Sequence, residues 1–263
     1  MPDQLSLRVS PPRGSQWVRP PRRPDLPGVP WRTWQVLIVL ALFAAIQVAA
    51  SYFLGLVFPE MGWPSPSSPG MLLAEVVAIS HAAGWLMAWL LVVRWHRRRF
   101  GAALAFKRQP AARLALAFGA AILVYGVVML PALVWPPPPD RTNMFLEIFK
   151  AGGLNLLLLL VIAVVLAPLM EELLFRGLLL PALRRRLAFP AAALLTTLLF
   201  TALHFTQTGT YWPAVAGIFV CGAFLAWLRE RTGSLWTPIA FHMGFNTTPF
   251  LVWLANLDLS GIQ

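Results

Sequence analysis

Leu166-Ala-Pro-Leu-Met-Glu-Glu-Leu-Leu-Phe-Arg-Gly177 lies within an apolar run that starts at Leu154 and ends at the Arg184-Arg185-Arg186 cluster. It sets Glu171, Glu172 and Arg176 where lipid-facing residues would be apolar. An ionisable residue at the centre of a membrane helix costs roughly 2.5–3.5 kcal/mol on insertion scales. Such a cost persists where charges pair, face a wet cavity or do chemistry. Glu172 and Arg176 are four apart and stand one above the other on a helix face. Glu171 is turned from Glu172 by about 100°. The spacing therefore predicts a Glu172–Arg176 pair and a Glu171 without a partner in its own helix. A structural ion pair plus one snorkelling Glu is the plainer alternative.

Outward from this stretch, the chain is a string of similar runs. Of its 263 residues, 58% are hydrophobic and 12% charged. A soluble domain carries about twice that share of charge. The class is an all-α polytopic membrane bundle of seven transmembrane helices, or eight if Pro168 divides the central run. The runs do not alternate, which excludes a membrane barrel. The expected spans are Trp34–Phe58, Met71–Val93, Leu114–Trp135, Leu154–Leu187, Pro190–Phe205, Tyr211–Leu228 and Leu235–Leu257. Residues 1–32 are Pro- and Arg-rich and read as a disordered cytoplasmic segment. Residues 33–153 form the N-terminal helices, and residues 154–257 a C-terminal core. Between spans, Met144–Lys150 looks like an amphipathic interfacial helix.

The net charge of +11 sits mostly between runs. This is the positive-inside pattern, with the N-terminus in the cytoplasm of an inner-membrane protein, and it points to membrane lipid rather than nucleic acid as a partner. The single cysteine, Cys221, cannot pair within the chain and reads as packing. The second span carries Glu75, which can reach toward water at the outer end, and His81, which reads as packing, while His96 reads as a solvated loop residue.

The C-terminal runs hold further polar groups: His204 at the end of one span, and His242 with Asn246 four residues on in the last. Singly, each has a structural explanation as an interhelical hydrogen bond. Together with Glu171 they suit hydrolysis. A carboxylate takes a proton from water, imidazoles orient water, bind metal or return a proton, and an amide donates to an oxyanion. The sequence has no H-E-x-x-H and no G-x-S-x-G. His204 and His242 could hold a divalent metal such as zinc, or polarise water without one.

In that order and spacing, Glu171-Glu-Leu-Leu-Phe-Arg-Gly177, Phe200-x-x-x-His204 and His242-x-x-x-Asn246 resemble the three motifs of the CPBP family, the CAAX prenyl protease 2 and Abi-like membrane proteins. The resemblance covers roughly Leu154–Phe250. It implies an intramembrane endopeptidase, a metalloprotease by that likeness, acting on a membrane-associated peptide or protein. Glu171 would activate water, and His204 would assist it or bind metal. His242 and Asn246 would stabilise the oxyanion or complete a metal site, with Glu172 and Arg176 bracing them. The competing expectations are a non-catalytic scaffold or bacteriocin-immunity factor, and a proton-coupled transporter.

Overall fold

The computed structural model describes residues 28–64, 66–137, 148 and 152–260. The expected Met144–Lys150 helix, apart from Ile148, and residues 1–27 of the N-terminal segment lie outside the described residues. The chain is an all-α membrane bundle, with no strand among the described residues. Helices α1 (Thr33–Glu60), α2 (Pro69–Trp95), α4 (Ala111–Leu133), α5 (Gly153–Arg184) and α8 (Trp212–Thr232) are long and apolar enough to cross a membrane. Short α3 (Phe100–Ala103) follows α2. Between α5 and α8 come α6 (Phe189–Leu203) and the single turn α7 (Phe205–Thr208). Helix α9 (Trp236–Ser260) is long enough to cross but carries the polar set His242, Asn246, Thr247 and Thr248.

Helix α5 runs unbroken through Pro168, so the central run is one element. It absorbs the proline by widening: residues Ile162–Leu166 and Leu173–Leu179 take π-helical turns on either side of Ala167–Glu172. Such insertions are frequent at functional sites. In a five-residue ladder, the N–H that Pro168 lacks would have bonded the Ala163 carbonyl. Asn246 Nδ2 from α9 donates to that carbonyl instead, at 2.8 Å. Pro181 repeats the pattern. The carbonyl five residues back belongs to Arg176, and Arg229 Nε from α8 donates to it at 3.2 Å.

Two apolar cores flank α5. One joins α1, α2 and α5 through Val36, Leu40, Leu91, Met170, Leu173 and Leu174. The other joins α4, α8 and α9 through Ala117, Ala121, Cys221, Leu225, Phe241 and Phe245. Helices α4 and α9 approach so closely that a Cβ on Gly244 would overlap the Phe118 carbonyl. Leu123 and Val48, at 73% and 70% exposure, belong to the apolar surface a bilayer would cover.

The basic segments gather at one end. Ser234 Oγ donates to the Lys107 carbonyl at 2.7 Å, and Arg184 pairs with Glu230 at 3.0 Å. Arg185 Nη1 donates to the carbonyls of Pro30 and Trp31 at 2.9 and 2.8 Å. Here the structure differs from the expected disordered segment, because residues 28–32 are packed. Trp31 is fully buried, and its indole N–H donates to the Leu178 carbonyl at 3.0 Å. One large indole with a polar partner anchors a stretch too short and Pro-rich to show periodicity. His96 also has a partner, donating from Nε2 to Gln35 Oε1 at 3.2 Å.

Candidate active site

Glu172 and Arg176 point into the seam between the two cores, and both are fully buried. Arg176 Nη1 donates to Glu172 Oε1 at 2.9 Å, and Nη2 donates to the Gly222 carbonyl of α8 at 2.9 Å. The guanidinium carbon also lies 4.6 Å from the centre of the Phe200 ring. A buried charge needs this many partners to offset its lost hydration. The pair predicted from spacing is present.

Glu171, one step round the helix, turns away from Arg176 into a cavity. Its side chain retains 22% exposure, and its Oε2 accepts no hydrogen bond from the described residues. Two imidazoles face this oxygen. His204 Nε2 and His242 Nε2 each lie 3.6 Å from Glu171 Oε2. On the far side of each ring, Nδ1 is committed. His204 Nδ1 donates to the Phe200 carbonyl at 2.8 Å, and His242 Nδ1 donates to Glu172 Oε1 at 3.1 Å. A carbonyl and a carboxylate can only accept, so both neutral rings keep their proton on Nδ1. Their Nε2 lone pairs then converge with the carboxylate. Three acceptors meeting at one point call for a proton donor or a cation.

His204 reaches this depth because α6 is short. Its 15 residues span about 22 Å, less than the roughly 30 Å hydrocarbon core. At that length α6 is too short to cross the hydrocarbon core by itself. His242 and Asn246 come from one face of α9. One Asn246 N–H is spent on Ala163, which leaves the other for the cavity that Asn246 lines.

The cavity measures about 440 Å³. Besides Glu171, His204, His242 and Asn246, it is walled by Phe43 and Gln47 of α1 and by Val77 and His81 of α2. Val48 and Leu203, 70% and 45% exposed, carry its wall to the outer apolar surface. The sequence reading drew its functional set from the C-terminal helices. Gln47 and His81 were missed as wall residues, and their only signal was polarity within an apolar helix. Cys221 is buried, as expected of packing, and also borders the cavity.

The donor types suit a divalent ion in kind. Two imidazole nitrogens and a carboxylate form a familiar zinc set, and metal-binding imidazoles usually donate their other N–H to a carbonyl or carboxylate, as both do here. The spacing suits one less well. Among the described residues, no group of three or more His, Cys, Asp or Glu side chains stands close enough to hold a metal ion.

A helical membrane bundle with an acid, two imidazoles and an amide converging on one cavity is the class that fold and site define. Residues 153–248 match a family model described as Rce1-like, the type II CAAX prenyl endopeptidases. The resemblance to that family is thus established over this segment, and it contains all six residues singled out from the motifs. The chain is also similar to a protein of Escherichia coli described as an uncharacterized 24.3 kDa protein, with 35% identity over 137 residues. That match takes in 51% of this chain and 61% of the relative. No solved structure matches.

Proposed function

We propose that the chain is an intramembrane endopeptidase that hydrolyses a peptide bond with water activated by Glu171. The observation that supports this most directly is the convergence of His204 Nε2 and His242 Nε2, each 3.6 Å from Glu171 Oε2. Water fits among them, donating its two protons to two of the three acceptors at a time. Glu171 takes one of its protons while the water oxygen attacks the peptide carbonyl carbon. The carbonyl oxygen becomes an oxyanion and meets the free Asn246 N–H. When the C–N bond breaks, the leaving nitrogen receives the proton held by Glu171, directly or through an imidazole Nε2. Glu172 Oε1 accepts from His242 Nδ1 in either state of the ring, so the ring keeps its orientation when its Nε2 carries a proton. Arg176, held by Gly222 and Phe200, keeps Glu172 in place. Should a divalent ion bind, His204 and His242 would hold it, and it would supply Lewis-acid polarisation of the carbonyl.

The wall that runs out to Val48 and Leu203 lets a membrane-associated substrate enter sideways from the bilayer. The gathering of the basic segments at one end favours an orientation with that end, and residue 28, in the cytoplasm. The test uses the full chain in proteoliposomes with quenched-fluorescence peptides, farnesylated at a Cys-a-a-X end or unprenylated and apolar. Glu171→Gln and His204→Ala should each lower cleavage by at least about 100-fold in folded protein. Undiminished cleavage in either variant removes the proposal. A phenotype that survives Glu171→Gln would favour the scaffold alternative.

A further inference from the structure

A second cavity, of about 470 Å³, opens at the basic end of the molecule between the start of α1 and the end of α5. Arg32 lines it just ahead of α1, and Arg185 and Arg186 line it just beyond α5. All three arginines are exposed. Among the described residues none of them has a carboxylate within ion-pair distance, and Glu230 at this end is taken by Arg184. The Arg32 and Arg186 side chains make no hydrogen bond to the described residues. Arg185 spends only Nη1, on the carbonyls of Pro30 and Trp31, which leaves its Nε and Nη2 donors free. Three like charges around one cavity repel one another, and an anion among them offsets that repulsion.

Next to the arginines the wall turns apolar, with Trp34 and Leu37 of α1. Trp34, Ile38 and Leu42 are exposed at four-residue spacing, so they form one stripe down the helix. On a helix that crosses a membrane such a stripe faces acyl chains, and a tryptophan at its start suits the headgroup level. A ligand matched to both parts has an anionic head and a hydrocarbon tail.

We propose that this cavity binds an anionic phospholipid. Its phosphate sits among Arg32, Arg185 and Arg186, whose guanidinium N–H groups donate to the phosphate oxygens. One acyl chain follows Trp34, Ile38 and Leu42. The lipid ties the start of α1 to the end of α5, the helix that carries Glu171. A zwitterionic lipid fits less well, because its ammonium enters the same cluster of cations. A soluble phosphate meets the arginines but leaves the stripe uncovered. The site is independent of the peptidase reading.

The test is native mass spectrometry of the full chain in neutral detergent, titrated with phosphatidylglycerol or phosphatidylcholine. One phosphatidylglycerol should be held at least about tenfold more tightly than phosphatidylcholine. Arg32→Gln/Arg186→Gln should abolish that preference, and its lipid-free thermal midpoint checks that it folds. Arg98→Gln/Arg99→Gln removes the same charge from a neighbouring cavity and should keep the preference. Phosphatidylglycerol should also raise the thermal midpoint of the wild type but not of the Arg32→Gln/Arg186→Gln protein. Equal affinity for the two lipids overturns the proposal, as does a preference that survives in Arg32→Gln/Arg186→Gln. Equal loss in both double variants would reduce the effect to overall surface charge and overturn it too. Millimolar inorganic phosphate should leave the lipid bound; displacement would assign the cavity to a soluble phosphate instead.

Discussion

His242 Nδ1 donates to Glu172 Oε1 at 3.1 Å, while Arg176 donates to the same oxygen at 2.9 Å. One carboxylate oxygen thus fixes an imidazole tautomer and neutralises a buried guanidinium. Replacing Glu172 by Gln should leave the His242 ring free to place its proton on Nε2, the wrong side. Cleavage should fall by about 10–1000-fold, mostly in kcat. A variant with normal kcat would show that the ring is oriented by something else.

The same substitution has a separate cost in stability. It leaves Arg176 charged, buried and short of its counterion. Loss of one partner of a buried pair destabilises by about 3–5 kcal/mol. Glu172→Gln should lower the thermal midpoint in micelles accordingly. The double change Glu172→Gln/Arg176→Met should recover most of the loss while activity stays low. Equal midpoints for wild type and Glu172→Gln would mean that the pair contributes little.

Asn246 and Pro168 should be energetically coupled. Asn246→Ala strands the Ala163 carbonyl, at a cost of about 1–3 kcal/mol. Pro168→Ala restores an N–H in the ladder, so the second change should be much milder in that background. A double-mutant cycle on thermal midpoints reads the coupling. Additive effects would show that the proline and the amide act independently.

Acid should loosen the end of the bundle where His96 meets Gln35. Burial, then the charges of Arg185 and Arg98, hold the His96 ring below the ordinary histidine value of about 6.5. The fold therefore prefers the neutral ring. Its contribution is complete above about pH 6.5 and is lost as pH falls through the depressed value. In stability measured from about pH 8 down to 5, His96→Gln should flatten this part of the acid limb. An identical pH profile for the variant would place the dependence in another group.

Chelation addresses the metal. Because the three facing groups do not form a ready cage, cleavage should survive extended treatment with 1,10-phenanthroline and dialysis against EDTA. Loss of activity restored by zinc alone would put an ion between His204 and His242.

Much of the site was legible because helix geometry is local. The four-residue spacing of Glu172 and Arg176 is enough to pair them, and the 100° step is enough to turn Glu171 away. The setting of His204 was harder. The expected span Pro190–Phe205 matches α6 closely, but a span alone does not say which helices pack beside its end. The second bond of Asn246 was out of reach, because it depends on which carbonyl a proline frees when the helix widens. Gln47 was overlooked, and His81 read as packing, for a different reason. A lone polar residue in an apolar helix has the same signature whether it packs or lines a cavity, and only the neighbouring helices decide which.

The indole of Trp31 sits against the last turns of α5, the helix that carries Glu171. Expression products cut at the start of the first predicted crossing would discard that tryptophan and expose the surface beneath it. Purification tags and crystallisation trims are therefore safer upstream of Gly28, and a low-yielding preparation that begins at Thr33 should be lengthened before its detergent is changed.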